Sequence, residues 1–458
     1  MPKTAIVPLN VFTSRLRNIF SLSGLLFSIG LWPVIPATAQ TPTRGCLVNQ
    51  YDSLLQFRNP NYAQGRSLLN RLLAEPRSSA RTDRTDEETL IIPVVVHVVH
   101  NNSSGQTGGV TNPNISDAQI RSQIEVLNED YQRKLNTPGF NTSPVGANVN
   151  IEFRLAIYDP QGNLTAGITR HYSSRASFST TEMNRLADII YWPSNRYLNI
   201  WVTRITGDFI GYAQFPDMTG QPGLAEVNGI ERTDGVIIDY RNFGRNIGTT
   251  TQGVYTEGRT TTHEIGHWLG LLHTWGDVVC DSPTCICGTD FINDTPAAQF
   301  PNETLGCPEL FSVCGGVQTR NMIENYMDYS PDRCMNIFTQ GQKDRIRRVL
   351  ELSPRRKALI ESARQALPET DKLRVRAFPN PVRPQDNRRV NLEILLKGNK
   401  PLQVAVFSST GQLVEELSLK STSSVILPVT LPLQKAGLYL IRVSTPDESQ
   451  VTKVILPE

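Results

Sequence analysis

The sequence predicts an α/β (α+β) domain, a twisted mixed sheet packed against helices, followed by a small all-β sandwich. Three observations carry that prediction. The run Leu90 to His100 is β-branched and suits a strand buried on both faces. Between it and about residue 240, strand and helix periodicities interleave in the order β-α-β-α-β-β. After about Leu367 only short alternating runs remain, divided by turn signals such as Thr410-Gly411 and Ala436-Gly437.

Composition narrows the class. In 458 residues, 45 Lys+Arg stand against 43 Asp+Glu, a net +2, so no large field draws nucleic acid. Charged residues make up 19%, and 32 Gly with 30 Pro suit a loop-rich exported protein. Six of the seven cysteines fall within 55 residues, Cys280 to Cys334, which fits an oxidising compartment.

The elements follow in order. Behind Arg15 and Arg17, the apolar run Ile19 to Trp32 ends at Pro33, and Ala37-Thr38-Ala39 supplies a small-x-small cleavage site. Residues 1–39 therefore read as a signal peptide; 14 residues fall short of the ~20 a span needs, and no transmembrane segment remains after cleavage. Residues 40–88 are polar and basic, hold the lone Cys46 and end in the protease-soft stretch Ser78 to Thr85, a propeptide. In the strand Leu90 to His100, His97 and His100 point to opposite faces and read as strand residues. Ser116-Asp117-Ala118-Gln119 reads as a capping box that opens a helix of about four turns through Ile120, Ile124, Leu127 and Tyr131. Ile151 to Ile157 alternates as a strand, Met183 to Trp192 looks helical, and Leu198 to Val202 and Val236 to Ile238 are short strands.

The informative segment is His263-Glu264-Ile265-Gly266-His267-Trp268-Leu269-Gly270-Leu271-Leu272-His273, with three of the six histidines. At ~100° per helical residue, a spacing of four leaves His263 and His267 about 40° apart on one face. Gly270 can take the positive φ that stops the helix, and His273 then swings back as a third ligand. Three neutral imidazoles make the open coordination of a catalytic zinc site, and Glu264 stands beside it as a base for water.

This string resembles the metzincin zinc peptidases and, among them, the pappalysin family. The likeness is carried by His263 to Trp275, Asp290 to Pro296, Gly306-Cys307-Pro308, Asn325 to Ser330, Cys334-Met335-Asn336 and Phe338-Thr339. It implies a metzincin-type fold with an active-site helix, Zn2+ as cofactor, Met327 as the floor beneath the histidines, and Tyr329 as oxyanion donor. It also implies structural Ca2+ at Asp290, Asn293, Asp294 and Thr295, which offer hard oxygen ligands. The family's two disulfides would pair Cys280 with Cys314 and Cys307 with Cys334, although four cysteines alone allow three pairings. Cys285 and Cys287 are an extra pair in an insertion, able to bridge each other only through a strained ring. Arg44-Gly45-Cys46 resembles the propeptide cysteine that fills the fourth zinc position in several metzincin zymogens, a latency switch. Asp332, five residues after Met327, matches the acid that selects Arg or Lys after the scissile bond. Gly211 to Pro216 reads as an edge strand that holds an extended substrate by β-augmentation.

The last ~85 residues resemble the C-terminal sorting domain of type IX secretion cargo, through Phe378-Pro379-Asn380-Pro381, Val404 to Val414 and Gly437 to Val443. Leu456-Pro457-Glu458 departs from the usual basic finish. The expected organisation is 1–39 signal peptide, 40–88 propeptide, 89–367 catalytic domain and 368–458 sorting sandwich. The expected function is a secreted, latent zinc endopeptidase acting on proteins or peptides, handled by the type IX machinery. A surface adhesin keeping a relic metal site is the alternative, and the intact Glu264 counts against it.

Overall fold

The structure, a computed structural model, describes residues 45–75, 88–163, 165–207, 209–220, 230–276, 287–364, 372–382, 388–398, 400–422, 425–431 and 436–457. The signal peptide, the stretch Ser78 to Thr85, Cys280 and Cys285 lie outside these residues.

A mixed sheet is the frame. Its strands are β1 (Gly45–Cys46), β2 (Leu90–His100), β3 (Ile151–Leu155), β4 (Ile168–Tyr172), β5 (Leu198–Thr203), β6 (Phe209–Ala213) and β7 (Gly235–Asp239). The order is β1-β6-β7-β5-β2-β3, and β2 is long enough to pair β3 along its first half and β4 along its second. β6 runs antiparallel to β7; the remaining pairings are parallel, which makes the sheet mixed, as expected.

Alternation along the strands divides the core. Val94, Val96, Val98, Leu198, Ile200, Val202, Val236 and Ile238 face one side with helices α3 (Asp117–Tyr131) and α6 (Arg259–Trp268). Val99, Trp201, Tyr212 and Ile237 face the other, where they meet Tyr51 and Leu55 of α1 (Val48–Arg58) and Tyr62 of α2 (Pro60–Ala74). Thus the segment expected as a propeptide forms two helices that cover one face of the sheet. His97 is buried there, its Nδ1 2.7 Å from the Thr169 hydroxyl and its Nε2 3.0 Å from Asn199 Oδ1.

Two readings are corrected. Ser116 caps α3 by accepting from the Gln119 amide, but the Gln119 side chain does not close the box; it donates to the Phe243 carbonyl and the Thr249 hydroxyl. α4 (Met183–Ile189) is shorter than the Met183 to Trp192 expected. Trp192 leaves the helix because its N–H donates to Asn199 Oδ1 while Asn199 Nδ2 donates to its carbonyl, a tie to β5.

α5 (Ile230–Thr233) precedes β7, and a hairpin of β8 (Phe311–Cys314) and β9 (Val317–Arg320) follows α6. α7 (Gln340–Leu352), capped by Thr339 with a reciprocal Gln342 bond, and α8 (Pro354–Arg364) end this part of the chain. Beyond it the chain is all β. Arg374–Phe378, Arg389–Leu395 and Val425–Thr430 form one sheet; Lys400–Ser408, Leu413–Thr422, Gly437–Ser444 and Ser449–Leu456 form the other. Val390, Leu392, Val404, Val406, Ile441 and Val443 lie in their shared core.

Candidate active site

α6 starts and stops where the sequence places special residues. Gly258, at φ +82°, precedes it, and Asp332 Oδ2 accepts the N–H groups of Glu257 at 2.9 Å and Arg259 at 3.2 Å. At its far end Gly270 sits at φ +92°, and a Cβ there would lie 2.8 Å from Val349 Cγ2, so only glycine makes this turn. The chain then reverses, with Leu271 N–H donating to the Gly266 carbonyl, and delivers His273.

The three histidines converge. Their Nε2 atoms are 3.1 Å (His263 to His267), 3.1 Å (His267 to His273) and 3.3 Å (His263 to His273) apart, all fully buried. His263 Nδ1 lies 2.7 Å from the Tyr326 carbonyl and His267 Nδ1 2.8 Å from the Leu271 carbonyl. A carbonyl only accepts, so Nδ1 carries the proton in both rings and Nε2 presents a lone pair. Lone pairs that close repel unless a cation stands between them. A tetrahedral ion with Zn–N bonds of about 2.0–2.1 Å spaces its nitrogens about 3.3–3.4 Å apart, so the donor set fits that ion. Cys46 joins the group: its sulfur and the three imidazole nitrogens all lie within 4.8 Å of one another.

Supporting residues come from three directions. Met327, fully buried, packs under the rings against Gly266, where any Cβ would collide with its sulfur. Asn325 Oδ1 accepts the Met327 N–H, and Asn325 exchanges two side-chain bonds with Gln342 of α7. The Tyr329 ring lies 4.9 Å from His273 and 5.8 Å from His263. Glu264 is fully buried, with Oε2 3.5 Å from Cys46 Sγ. It lies against β6 at Gly211, where a Cβ would come within 2.7 Å of its Cγ and Oε1.

The N-terminal segment fills the site. β1 adds to the free edge of β6 in the parallel sense, with Cys46 opposite Gly211. Tyr62 of α2 donates to the Phe215 carbonyl, Arg66 donates to the Pro216 carbonyl, and its guanidinium lies 4.2 Å over the Phe215 ring. Phe215 in turn packs its ring 5.5 Å from His267.

The other expected residues divide. Asp290 Oδ2 accepts the Thr295 hydroxyl at 2.7 Å and Oδ1 the Ile292 N–H; burial lifts its carboxyl to about 6. Asp294 Oδ2 accepts the Gly341 N–H at the start of α7, and Asn293 is exposed. Asp332 is fully buried, and one of its oxygens is spent on the α6 start.

The disulfides correct one pairing. Cys307 bonds Cys334, but Cys314 bonds Cys287, not Cys280, with Cα atoms 5.5 Å apart. The reason is the loop's return leg: Gly288 packs against the backbone of Trp275 and Gly276, which brings its neighbour Cys287 to β8. That bond also excludes a Cys285–Cys287 bridge. Sequence reasoning assigned no individual role to Gly211 or Trp275, which it named only within an edge strand and a motif, and it missed Asn302. Trp275 stacks on His273 at 4.4 Å and 8°, and Asn302 ties its loop to Asp328 and Ser330. A Trp two residues past the last histidine was a visible signal; the other two depend on long-range contacts.

The comparisons agree with this geometry. The family described as Peptidase_M43, pregnancy-associated plasma protein-A, matches residues 184–351, and a secretion system C-terminal sorting domain matches residues 376–457. An extracellular metalloprotease of Trichophyton verrucosum is 30% identical over 262 residues, 56% of this chain and 76% of the relative. One from Verticillium alfalfae is 32% identical over 263 residues, 57% of this chain and 76% of the relative. Mature mirolysin of Tannerella forsythia in complex with a cleaved peptide is 42% identical, with TM-score 0.51 over 61% of this chain and 99% of that one. A promirolysin mutant from the same organism is 38% identical, with TM-score 0.57 over 71% of this chain and 100% of that one. Among the described residues no helix is long and apolar enough to cross a membrane. The chain thus belongs to the pregnancy-associated plasma protein-A family of metallopeptidases and is a secreted or cell-surface metalloprotease with a secretion-system sorting domain.

Proposed function

We propose that the chain is the latent precursor of a zinc endopeptidase in which His263, His267 and His273 hold the ion and Cys46 closes its fourth position until residues 40–88 are removed. The convergence of three Nε2 atoms on one point beside the Cys46 sulfur carries this reading. When bound, the ion supplies Lewis acidity toward the scissile carbonyl and toward water. Glu264, buried between α6 and β6, accepts the proton of the attacking water and returns it to the leaving amine. Tyr329 donates its phenolic hydrogen to the oxyanion. The edge of β6, which β1 covers in the precursor, holds the extended substrate.

Three finer assignments belong to the same reading. Asp332 supplies the charge that favours Arg or Lys after the scissile bond. Ca2+ is held at the loop of Asp290, Asn293, Asp294 and Thr295; Asp294 Oδ1 is a buried oxygen with no hydrogen-bond donor among the described residues, which a cation would satisfy. Residues 1–39 are a signal peptide, 89–367 the catalytic domain and 368–458 the portion read by type IX secretion.

The test uses purified mature enzyme on casein. Digestion is expected from the wild type and is lost in Glu264→Ala and after a zinc chelator, while a calcium-selective chelator lowers Tm. Equal turnover by the wild type, the variant and the chelated enzyme would refute the catalytic reading, and an unchanged Tm the calcium assignment.

A further inference from the structure

We infer that a groove beside the histidine triad is the subsite for one bulky apolar side chain of the substrate, aromatic or leucine-like, on the N-terminal side of the scissile bond; the inference rests on the peptidase reading above. The groove, about 490 Å³, is walled by Trp275, Phe300, Pro301, Leu310 and Tyr329, with the exposed Glu303 and Thr304 at its rim. It begins one ring from the triad, since Trp275 stacks on His273 at 4.4 Å and Tyr329 crosses the same ring at 4.9 Å. A peptide whose carbonyl reaches the histidines passes its mouth.

The walls are built, not incidental. Asn302, 1% exposed, donates its N–H to Asp328 Oδ1 and its side-chain amide to the Ser330 hydroxyl. The Cys307–Cys334 disulfide fastens the same loop to the segment after Met327. The groove therefore keeps its place relative to the floor of the triad.

Chain polarity says which side of the substrate enters it. β1 lies parallel to β6. On this inference the parallel run of β1 is the uncut arrangement and a substrate takes the opposite sense, antiparallel to β6. Asn49, three residues C-terminal to Cys46, lines the groove. The reversed substrate therefore brings its N-terminal side there. In the precursor the chain turns into α1 at Val48, and Asn49 is its contribution to the lining.

The lining selects the class. All five wall residues present aromatic or aliphatic surface, whereas Glu303 is exposed to solvent. Burial of apolar area outweighs an exposed ion pair, so the groove chooses by apolar surface and Glu303 turns away acidic side chains.

The experiment takes the mature enzyme and a peptide cut at one bond, and varies each of the three residues before that bond through Gly, Asp, Lys, Leu and Phe. At one of these positions kcat/KM for Leu and Phe is expected to exceed that for Gly and Asp by roughly tenfold or more. Phe300→Ala and Leu310→Ser, the second on a partly exposed position, are expected to erase that ratio by lowering kcat/KM for the Leu and Phe peptides toward that of the Gly peptide. Indifference at all three positions, Lys as the best residue, or a ratio that survives both substitutions would overturn the groove assignment. Turnover of the Gly peptide that Glu264→Ala abolishes keeps the peptidase reading standing in each of those cases. Wild-type enzyme that cuts neither the peptides nor casein would bring down both.

Discussion

Asp332 has one structural role and one proposed role that substitution can separate. Its Oδ2 anchors the first turn of α6 through two backbone amides, and its charge is the basis proposed for an Arg or Lys preference. Asp332→Asn keeps an oxygen for the amides and removes the charge; Asp332→Ala removes both. The Asn variant is expected to keep its Tm and lose the basic preference, read from product termini of a peptide library. The Ala variant is expected to lose about 1–2 kcal/mol as well, the usual size of a lost helix cap. A basic preference that persists in Asn would remove Asp332 from substrate selection. At this scale legibility followed spacing. His263, Glu264, His267 and Gly270 are readable because helix geometry converts their intervals into one face and a stop. The bond from Asp332 to α6 spans more than 70 residues and ends on amides, which leave no mark in a sequence. Gly211 was visible as part of an edge strand, but its reason, the approach of Glu264, needed the fold.

Strands β2, β3, β5 and β7 and helix α3 were legible because each carries a strong apolar period. α1 and α2 were not. Their buried residues, Tyr51, Leu55, Tyr62 and Leu69, are diluted among polar ones, and the helices gain their stability by docking on the sheet. That docking shapes the expected latency. Cys46→Ala in the unprocessed precursor is expected to give partial turnover of a fluorogenic peptide, since α1 and α2 still hold the segment over the site. Adding Leu69→Asp, which puts a charge against Met218, is expected to raise turnover further. A double variant as silent as the parent would dismiss the switch. The misread disulfide belongs here too: cysteine counts do not say which foot of a loop returns to the hairpin.

Across the whole molecule, acid sensitivity follows from His97. Burial pulls its pKa from 6.5 to about 3, against the opposing bond to Asn199. Between those values the unfolded chain binds a proton that the folded chain refuses, so stability falls as pH drops through 6.5 toward 3. The slope from this one group is at most about 1.4 kcal/mol per pH unit. Burial also lowers His100 and His171, and both act with the same sign. His97→Gln, which keeps an amide between Thr169 and Asn199, is expected to flatten the Tm profile from pH 6.5 to 4; an unaltered slope would place the acid sensitivity elsewhere.

The second face of the sheet has another consequence. Tyr51, Leu55 and Tyr62, which shield Tyr212 and its neighbours, sit on the stretch whose removal is proposed to activate the enzyme. On that reading, switching the enzyme on unroofs this face, and the working form is expected to be a more fragile, stickier object than the form in storage. Such a cleavage would start the clock on the molecule's own decay as well as on its targets.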